Sequence, residues 1–369
     1  MSTPRPHAAT PSPRVLRQRA EQEFALELEA LAEADTRSRP EGWRLSPWAV
    51  MLYLRGGETP GGARITPKFF GDRRLIEGAV ATLATDRALL LLGVPGTGKS
   101  VLSEHLAAAI SGDSTYLIQG TAGTSEDSLR YGWNYARLLS DGPGEAALVP
   151  GPVLRAMREG RIARVEELTR IPAEVQDSLI TILSEKALPL PELGTDVQAV
   201  RGFNLIATAN SRDRGVNELS SALRRRFNTI ILPLPESLED EVEIVMHRVA
   251  ESSQAGTLLP ARGEVLRVAT IFRELRVGQT HDGRAKLKAP SGTLGTGELI
   301  STVNHGIALA AHFGDGTVGA EELASGLAGA IIRDPERDSA IWKEYLENVA
   351  KRRPGWTDLY EACLATTCK

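Results

Sequence analysis

The sequence predicts an α/β protein, a mostly parallel sheet covered by helices on both faces, followed by a smaller all-helical unit. Three observations carry this. Short apolar runs alternate with helix-periodic segments between Ala88 and Leu232, the pattern of parallel strands joined by crossover helices. The first run, Ala88–Leu92, meets a glycine-rich loop and then a helical stripe. After Pro235 the strand signals stop and only helical periodicity continues.

Bulk composition sets the frame. Of 369 residues, 42 % are hydrophobic and 24 % charged, enough apolar material for a core in an ordinary globular protein. The length suits two or three domains. A formal net charge of −4 gives no global basic field, so nucleic acid is not an expected partner. No apolar run approaches the roughly 20 residues of a membrane span. Cys363 and Cys368 are too few for a disulfide framework or a four-ligand zinc site. They read as free thiols in a reducing, cytoplasmic setting. The first 20 residues carry Arg5, Arg14, Arg17 and Arg19, four prolines and no acid. Without an apolar stretch this is a disordered arm rather than a secretory signal.

Taken in order, residues 15–35 are rich in helix formers, with Leu16, Phe24, Leu28 and Leu31 on one face. The Gly/Pro-rich stretch 55–68 reads as a linker. Leu75, Ile76, Val80 and Leu83 mark a helix over 74–85. Leu102, Leu106, Ala109 and Ile110 mark another over 100–110. Strands are expected at 115–119, 161–165, 203–209 and 229–232. A helix is expected over 172–186, with Pro172 in its first turn. Helices follow at 239–251, 263–275, 298–313, 320–331 and 337–351. The expected organisation is an arm, helix and linker (1–64), an α/β core (65–235), a smaller helical domain (236–335), and a final helix and tail (336–369).

The chemistry starts in the loop. Gly93, Gly98, Lys99 and Ser100 match Gly-x-x-x-x-Gly-Lys-[Ser/Thr], with an apolar strand before and a helix after. Glycines at 96 and 98 let the backbone turn its N–H groups inward as an anion nest, and the helix start adds orphan donors and a positive dipole end. Lys99 is placed for the β/γ-phosphates and the Ser100 hydroxyl for magnesium. Pro95, Thr97 and Val101 complete the segment 93–101. This points to ATP with Mg2+ as ligands.

A phosphate loop of this kind needs acids at a neighbouring strand end. Glu166 and Glu167 follow the short strand 161–165. Glu166 stands on the metal side and Glu167 where a carboxylate polarises the attacking water. Arg164 stands in that strand where an apolar residue is expected, and Glu166 is one methylene longer than aspartate. Asn210 ends a later apolar strand, where its amide can orient the water. Arg224, Arg225 and Arg226 precede the last strand, where an arginine can reach a neighbouring subunit's nucleotide.

Read together, these residues resemble the AAA+ ATPases, and within them the MoxR-type group. The resemblance rests on Gly93–Ser100, on Glu166-Glu167-Leu-Thr-Arg170, on Gln176, Leu179, Leu183 and Glu185, on Ala207–Asn210, and on Leu223, Arg226 and Phe227. It covers roughly residues 65–335. It implies a five-strand parallel core, a helical lid and a ring, often a hexamer, with nucleotide between subunits. It implies that Asn210 is the first sensor and Arg226 the arginine finger, with Arg225 the alternative. The segment Ala187–Gln198 becomes a hairpin facing the pore or client. A von Willebrand A-type partner and chaperone-like work on a protein client follow from the same resemblance. Two departures stand out: Glu166 replaces the family's aspartate, and Ser291–Glu298 offers no second sensor arginine, although Arg284 is nearby.

The leading reading is therefore a magnesium-dependent ATPase that remodels a protein partner. The rival is a nucleotide-gated scaffold with little or no hydrolysis, motivated by Glu166, Arg164 and the missing lid arginine. A DNA-translocating machine is weaker, since no helix-turn-helix signal is present. The six histidines show no ligand spacing, and Tyr131, Trp133 and Tyr135 read as packing or a contact surface.

Overall fold

The computed structural model describes residues 15–210, 217–252 and 258–367. Residues 1–14, residues 211–216 after Asn210, and Cys368 lie outside the described residues. Five parallel strands form the central sheet. They are β1 (Ala88–Gly93), β2 (Leu117–Gln119), β3 (Ile162–Glu166), β4 (Asn204–Asn210) and β5 (Phe227–Ile231), in the spatial order β5-β1-β4-β3-β2. Every residue of β3 and β4 is buried, and all but Leu92 of β1. That is the burial expected of inner strands covered on both faces.

Register decides where the loops meet. Asn210 lies opposite Gly93, Ala207 opposite Val165, and Glu166 opposite Gln119. The carboxyl ends of β1, β3 and β4 therefore open on one edge, where open α/β sheets place their ligands. At the other edge Phe227 pairs with Ala88.

Helices surround the sheet. Ahead of it come α1 (Ala25–Ala34), α2 (Pro47–Arg55) and α3 (Arg73–Leu83); α4 (Lys99–Ser111) follows the phosphate loop, then α5 (Pro152–Glu159) and α6 (Leu179–Glu185). Both α2 and α5 begin with proline in the first turn, a start signal not read in the sequence. The helix expected over 172–186 is broken at Ser178, between Ala173–Asp177 and α6, and Pro172 caps it from outside. Ser178 Oγ donates to the Val175 carbonyl at 2.7 Å, a local bond that competes with helix continuation.

The stretch read as a linker is instead packed. Gly57–Glu58 pairs antiparallel with Arg64–Ile65, and Ile65 and Lys68 are fully buried or nearly so. The Lys68 ammonium donates to Glu27 Oε2 at 2.7 Å and sits 4.0 Å from the Phe24 ring centre. A buried charge needs such partners, and α1 supplies the carboxylate. Leu16, expected on the first helix's face, is fully exposed and precedes it.

The C-terminal region is helical: α7 (Leu238–Ser252), α8 (Arg262–Val277), α9 (Thr296–Phe313), α10 (Ala320–Ile331), α11 (Pro335–Asn348) and α12 (Thr357–Thr367). One apolar cluster runs from Leu238 to Cys363, so α11 and α12 pack with the preceding helices. Trp342 and Tyr345 stack at 5.7 Å, and the Tyr345 hydroxyl donates to Glu274 Oε2 at 2.7 Å. Burial pushes the Cys363 thiol up to about 12, which leaves it unreactive at neutral pH. Among the described residues no helix is long and apolar enough to cross a membrane.

Candidate nucleotide site

β1 delivers Gly93 into the loop. A Cβ there would stand 2.6 Å from Thr97 Oγ1 and 2.8 Å from the Leu232 carbonyl, so a side chain would displace the turn. Gly96 (φ +84°) and Gly98 (φ +80°) take left-handed backbone, which glycine adopts at no steric cost. Left-handed turns of this kind suit the backbone cradle that an anion requires. Lys99 opens α4, whose 13 residues carry their dipole into the loop. Lys99 Nζ donates to the Gly93 and Val94 carbonyls, each at 3.0 Å, folding the ammonium across the cradle. Thr97 Oγ1 donates to the Val94 carbonyl at 3.0 Å, and Val101 is half-buried in the first helical turn. Phe69 flanks Gly98, 3.1 Å from where a Cβ would stand.

The helical region closes against this loop through glycine. A Cβ on Gly96 would meet Gly295 Cα at 2.9 Å, and one on Gly295 would meet the Pro95 carbonyl at 2.6 Å. Arg276 fixes the partner loop, donating to the Leu294 carbonyl at 2.8 Å and to both oxygens of Glu241 at 3.0 and 2.8 Å. Arg284 is exposed and pairs with Asp282. Gly295→Ala is therefore expected to part the two loops and weaken nucleotide affinity several-fold, read by fluorescent-nucleotide titration. Unchanged affinity would mean that the contact plays no part in binding.

Glu166 is 3 % exposed and fully engaged. Its Oε2 accepts from Ser100 Oγ at 2.8 Å and Thr208 Oγ1 at 2.7 Å. Its Oε1 accepts from Arg164 Nη2 at 3.0 Å and from Ser103 Oγ. The Ser100 proton points at the carboxylate, so the oxygen's lone pairs are free for a cation. Arg164 is 2 % exposed. The sequence expectation of an apolar residue there fails because the buried guanidinium has a buried carboxylate two residues on, on the same strand face.

Glu167 holds left-handed backbone (φ +55°, ψ +46°). Such backbone is uncommon for a non-glycine residue and is often found at functional sites. Its N–H donates to Thr208 Oγ1 at 3.1 Å. Asn210 Nδ2 lies 3.1 and 3.0 Å from its two carboxylate oxygens, and Arg170 Nε lies 3.4 Å from one. The structure thus gathers Lys99, Ser100, Glu166, Glu167 and Asn210 at one edge. Thr208 and Gly295 were read only as members of the stretches Ala207–Asn210 and Ser291–Glu298, and Ser103 and Phe69 were not read in the sequence. Of the last two, Ser103 had a visible signal, its spacing of one turn from Ser100.

Arg226 lies elsewhere. It precedes β5, and the Ala88 N–H donates to its carbonyl at the start of β1. At about 3.3 Å per residue, five strand steps separate that level from Gly93. Its guanidinium is held by Ser184 Oγ at 2.8 Å and the Ala222 carbonyl at 3.0 Å. Arg225 is exposed beside it. Neither reaches the phosphate loop of its own chain.

His105, on α4, is a core residue. Burial pushes its pKa down to about 3, and Nδ1 shares a hydrogen bond with the Tyr53 hydroxyl at 2.9 Å.

Sheet order, phosphate loop, strand-end acids and an appended helical region define an AAA+ P-loop fold. Residues 88–227 match the AAA domain of the dynein-related subfamily, and residues 239–363 match the YehL-like AAA+ ATPase C-terminal domain. The chain is 39 % identical over 352 residues to the protein YehL of Escherichia coli (strain K12), covering 92 % of this chain and 94 % of that one. It belongs to the YehL-like family of AAA+ ATPases. The protein SH1500 of Staphylococcus haemolyticus is 30 % identical over 160 residues, 43 % of this chain and 60 % of that protein. NtrX from Brucella abortus, solved in complex with ADP, aligns with a TM-score of 0.48 at 17 % identity, covering 81 % of this chain and 66 % of that one.

Proposed function

We propose that the chain is a magnesium-dependent ATP hydrolase that assembles into a ring and remodels a protein client. The observation that carries this is the convergence at one sheet edge of the glycine cradle, Lys99, the Ser100–Glu166 pair and the Asn210–Glu167 pair. In this reading the loop N–H groups hold the β-phosphate, and the Lys99 ammonium leaves its two carbonyl partners for the γ-phosphate. Ser100 and Glu166 would hold the metal, which when bound would neutralise charge developing on the phosphates. Glu167 accepts the proton of the attacking water, and Asn210 holds that carboxylate in place.

Arg226 and Arg225, remote from their own loop, suit a finger offered to the next subunit in a ring, hexameric by the MoxR-type resemblance. The dynein-related domain match supports that class of assembly. A von Willebrand A-type partner and a chaperone-like role belong to the same proposal. The antiparallel pair Ala187–Leu190 and Thr195–Gln198 suits the client-facing hairpin.

Steady-state turnover measured together with ATP affinity tests the reading. Lys99→Ala is the binding control, expected to weaken affinity about 10–100-fold, since hydrogen bonds to charged groups contribute roughly 1.5–3 kcal/mol. Unaltered affinity would remove the loop as the site. The scaffold reading rests on Glu166, on Arg164 and on the absence of a second sensor arginine from Ser291–Glu298. Tight binding without turnover, with the partner present, would favour it.

A further inference from the structure

Residues 164 and 166 alternate onto the same face of β3, and that face packs on α4. Ser100 and Ser103 lie one turn apart on α4 and both meet Glu166. Ser103 also accepts from Arg164 Nε at 3.1 Å. The rest of the Arg164 fork is tied to backbone: Nη2 donates to the Ser100 carbonyl at 3.2 Å and Nη1 to the Ser114 carbonyl at 3.1 Å. The guanidinium is thus a strut between β3, the first turn of α4 and the segment just beyond that helix. Each oxygen of Glu166 has two donors, so the carboxylate is fixed at both ends and uses about all its lone-pair sites.

We propose that Arg164 is a positioning residue that adapts this nucleotide site to a glutamate, in place of an aspartate, on the divalent-cation side. The inference rests on the ATPase reading above. A glutamate carries one more rotatable bond than an aspartate and reaches about 1.5 Å further. Unrestrained, its carboxylate would swing towards Ser100 and crowd the cation. Arg164 draws one oxygen back into the sheet and leaves the other at the Ser100 hydroxyl. An aspartate at the same backbone position is too short to reach Arg164 and Ser100 together. Residue 164 and residue 166 are therefore matched, and either one alone is mismatched by substitution.

The test is the Mg2+ concentration that half-saturates binding of a fluorescent ATP analogue, with thermal stability recorded in parallel. Glu166→Asp and Arg164→Met are each expected to raise that concentration about tenfold, well beyond any change in Mg2+-free nucleotide affinity. The double variant, in which an unbranched apolar side chain fills the strut's place and the short acid stands free, is expected to return to within about threefold. Arg164→Lys keeps the charge without the fork and is expected to fall between, which guards against a misfolded Met variant. Effects that simply add across the cycle, or that move Mg2+-free affinity and melting together with Mg2+ dependence, would overturn the matching and leave the ATPase reading intact. A wild-type protein whose nucleotide binding ignores Mg2+ would overturn that reading, and this inference with it.

Discussion

Glu167→Gln is expected to bind ATP with near wild-type affinity and to turn it over about 10²–10⁴-fold more slowly, the usual contribution of a general base. The argument is geometric. Glu167 reaches the strand-end edge only because its backbone turns left-handed immediately after β3, with its N–H tied to Thr208. Its carboxylate stands within 3.1 Å of the Asn210 amide at both oxygens. Glutamine keeps the length and can still accept from Asn210 through its single oxygen. In the proposed role it loses the basic oxygen that would take the water proton, so chemistry should fail while the binding loop is untouched. Glu166 is not in a position to substitute, because four donors already occupy its oxygens. Single-turnover hydrolysis alongside equilibrium titration separates the two effects. Normal turnover in Glu167→Gln, with loss in Glu166→Gln, would exchange the roles assigned to the two acids.

Much of this site is legible in sequence because its parts are local. An apolar strand, a glycine loop and a helix start need only the order of residues 88–110 to be read, and the acid pair and Asn210 stand at strand ends marked by the end of an apolar run. Arg164 was a misfit for the same reason. Its partner is two residues away along the strand, a spacing that places side chains on one face, but an apolar reading of the strand leaves a cation unexplained. The stretch 55–68 misled because its glycines and prolines are turn-formers wherever they occur. What packs it down is Lys68 meeting Glu27, 41 positions earlier, a pairing no local pattern announces. Gly295 is the extreme case. Its segment, Ser291–Glu298, was read only for the arginine it lacks, and its contact with the loop depends on lacking a side chain where two chain segments touch. The continuation of the helical cluster through α11 and α12 was likewise hidden, since amphipathic periodicity tells which face is apolar but not what covers it.

Arg226→Ala is expected to retain nucleotide affinity and to lose about 10³–10⁵-fold in hydrolysis, the contribution of an arginine finger to phosphoryl transfer. Affinity is spared because the finger's main contact forms in the transition state. The position of Arg226 makes a partner subunit essential to this account. It sits at the start of β5, level with Ala88, while the phosphate loop leaves β1 at Gly93. That separation is about 17 Å along the strand, too far for the guanidinium to reach its own chain's phosphates. Ser184 and the Ala222 carbonyl hold the side chain at the surface of its own subunit, which fixes where it can be offered. Mixing Lys99→Ala with Arg226→Ala subunits should then restore activity that neither variant shows alone. Some interfaces in the mixture join an intact loop to an intact finger. Arg225→Ala is the internal control, because Arg225 is the more exposed of the two and its carbonyl is held by Arg87. Rescue with Arg225→Ala in place of Arg226→Ala would move the finger by one residue. Absence of rescue with either, in protein shown to be assembled, would mean that the site is not shared between subunits, and the scaffold reading would take precedence.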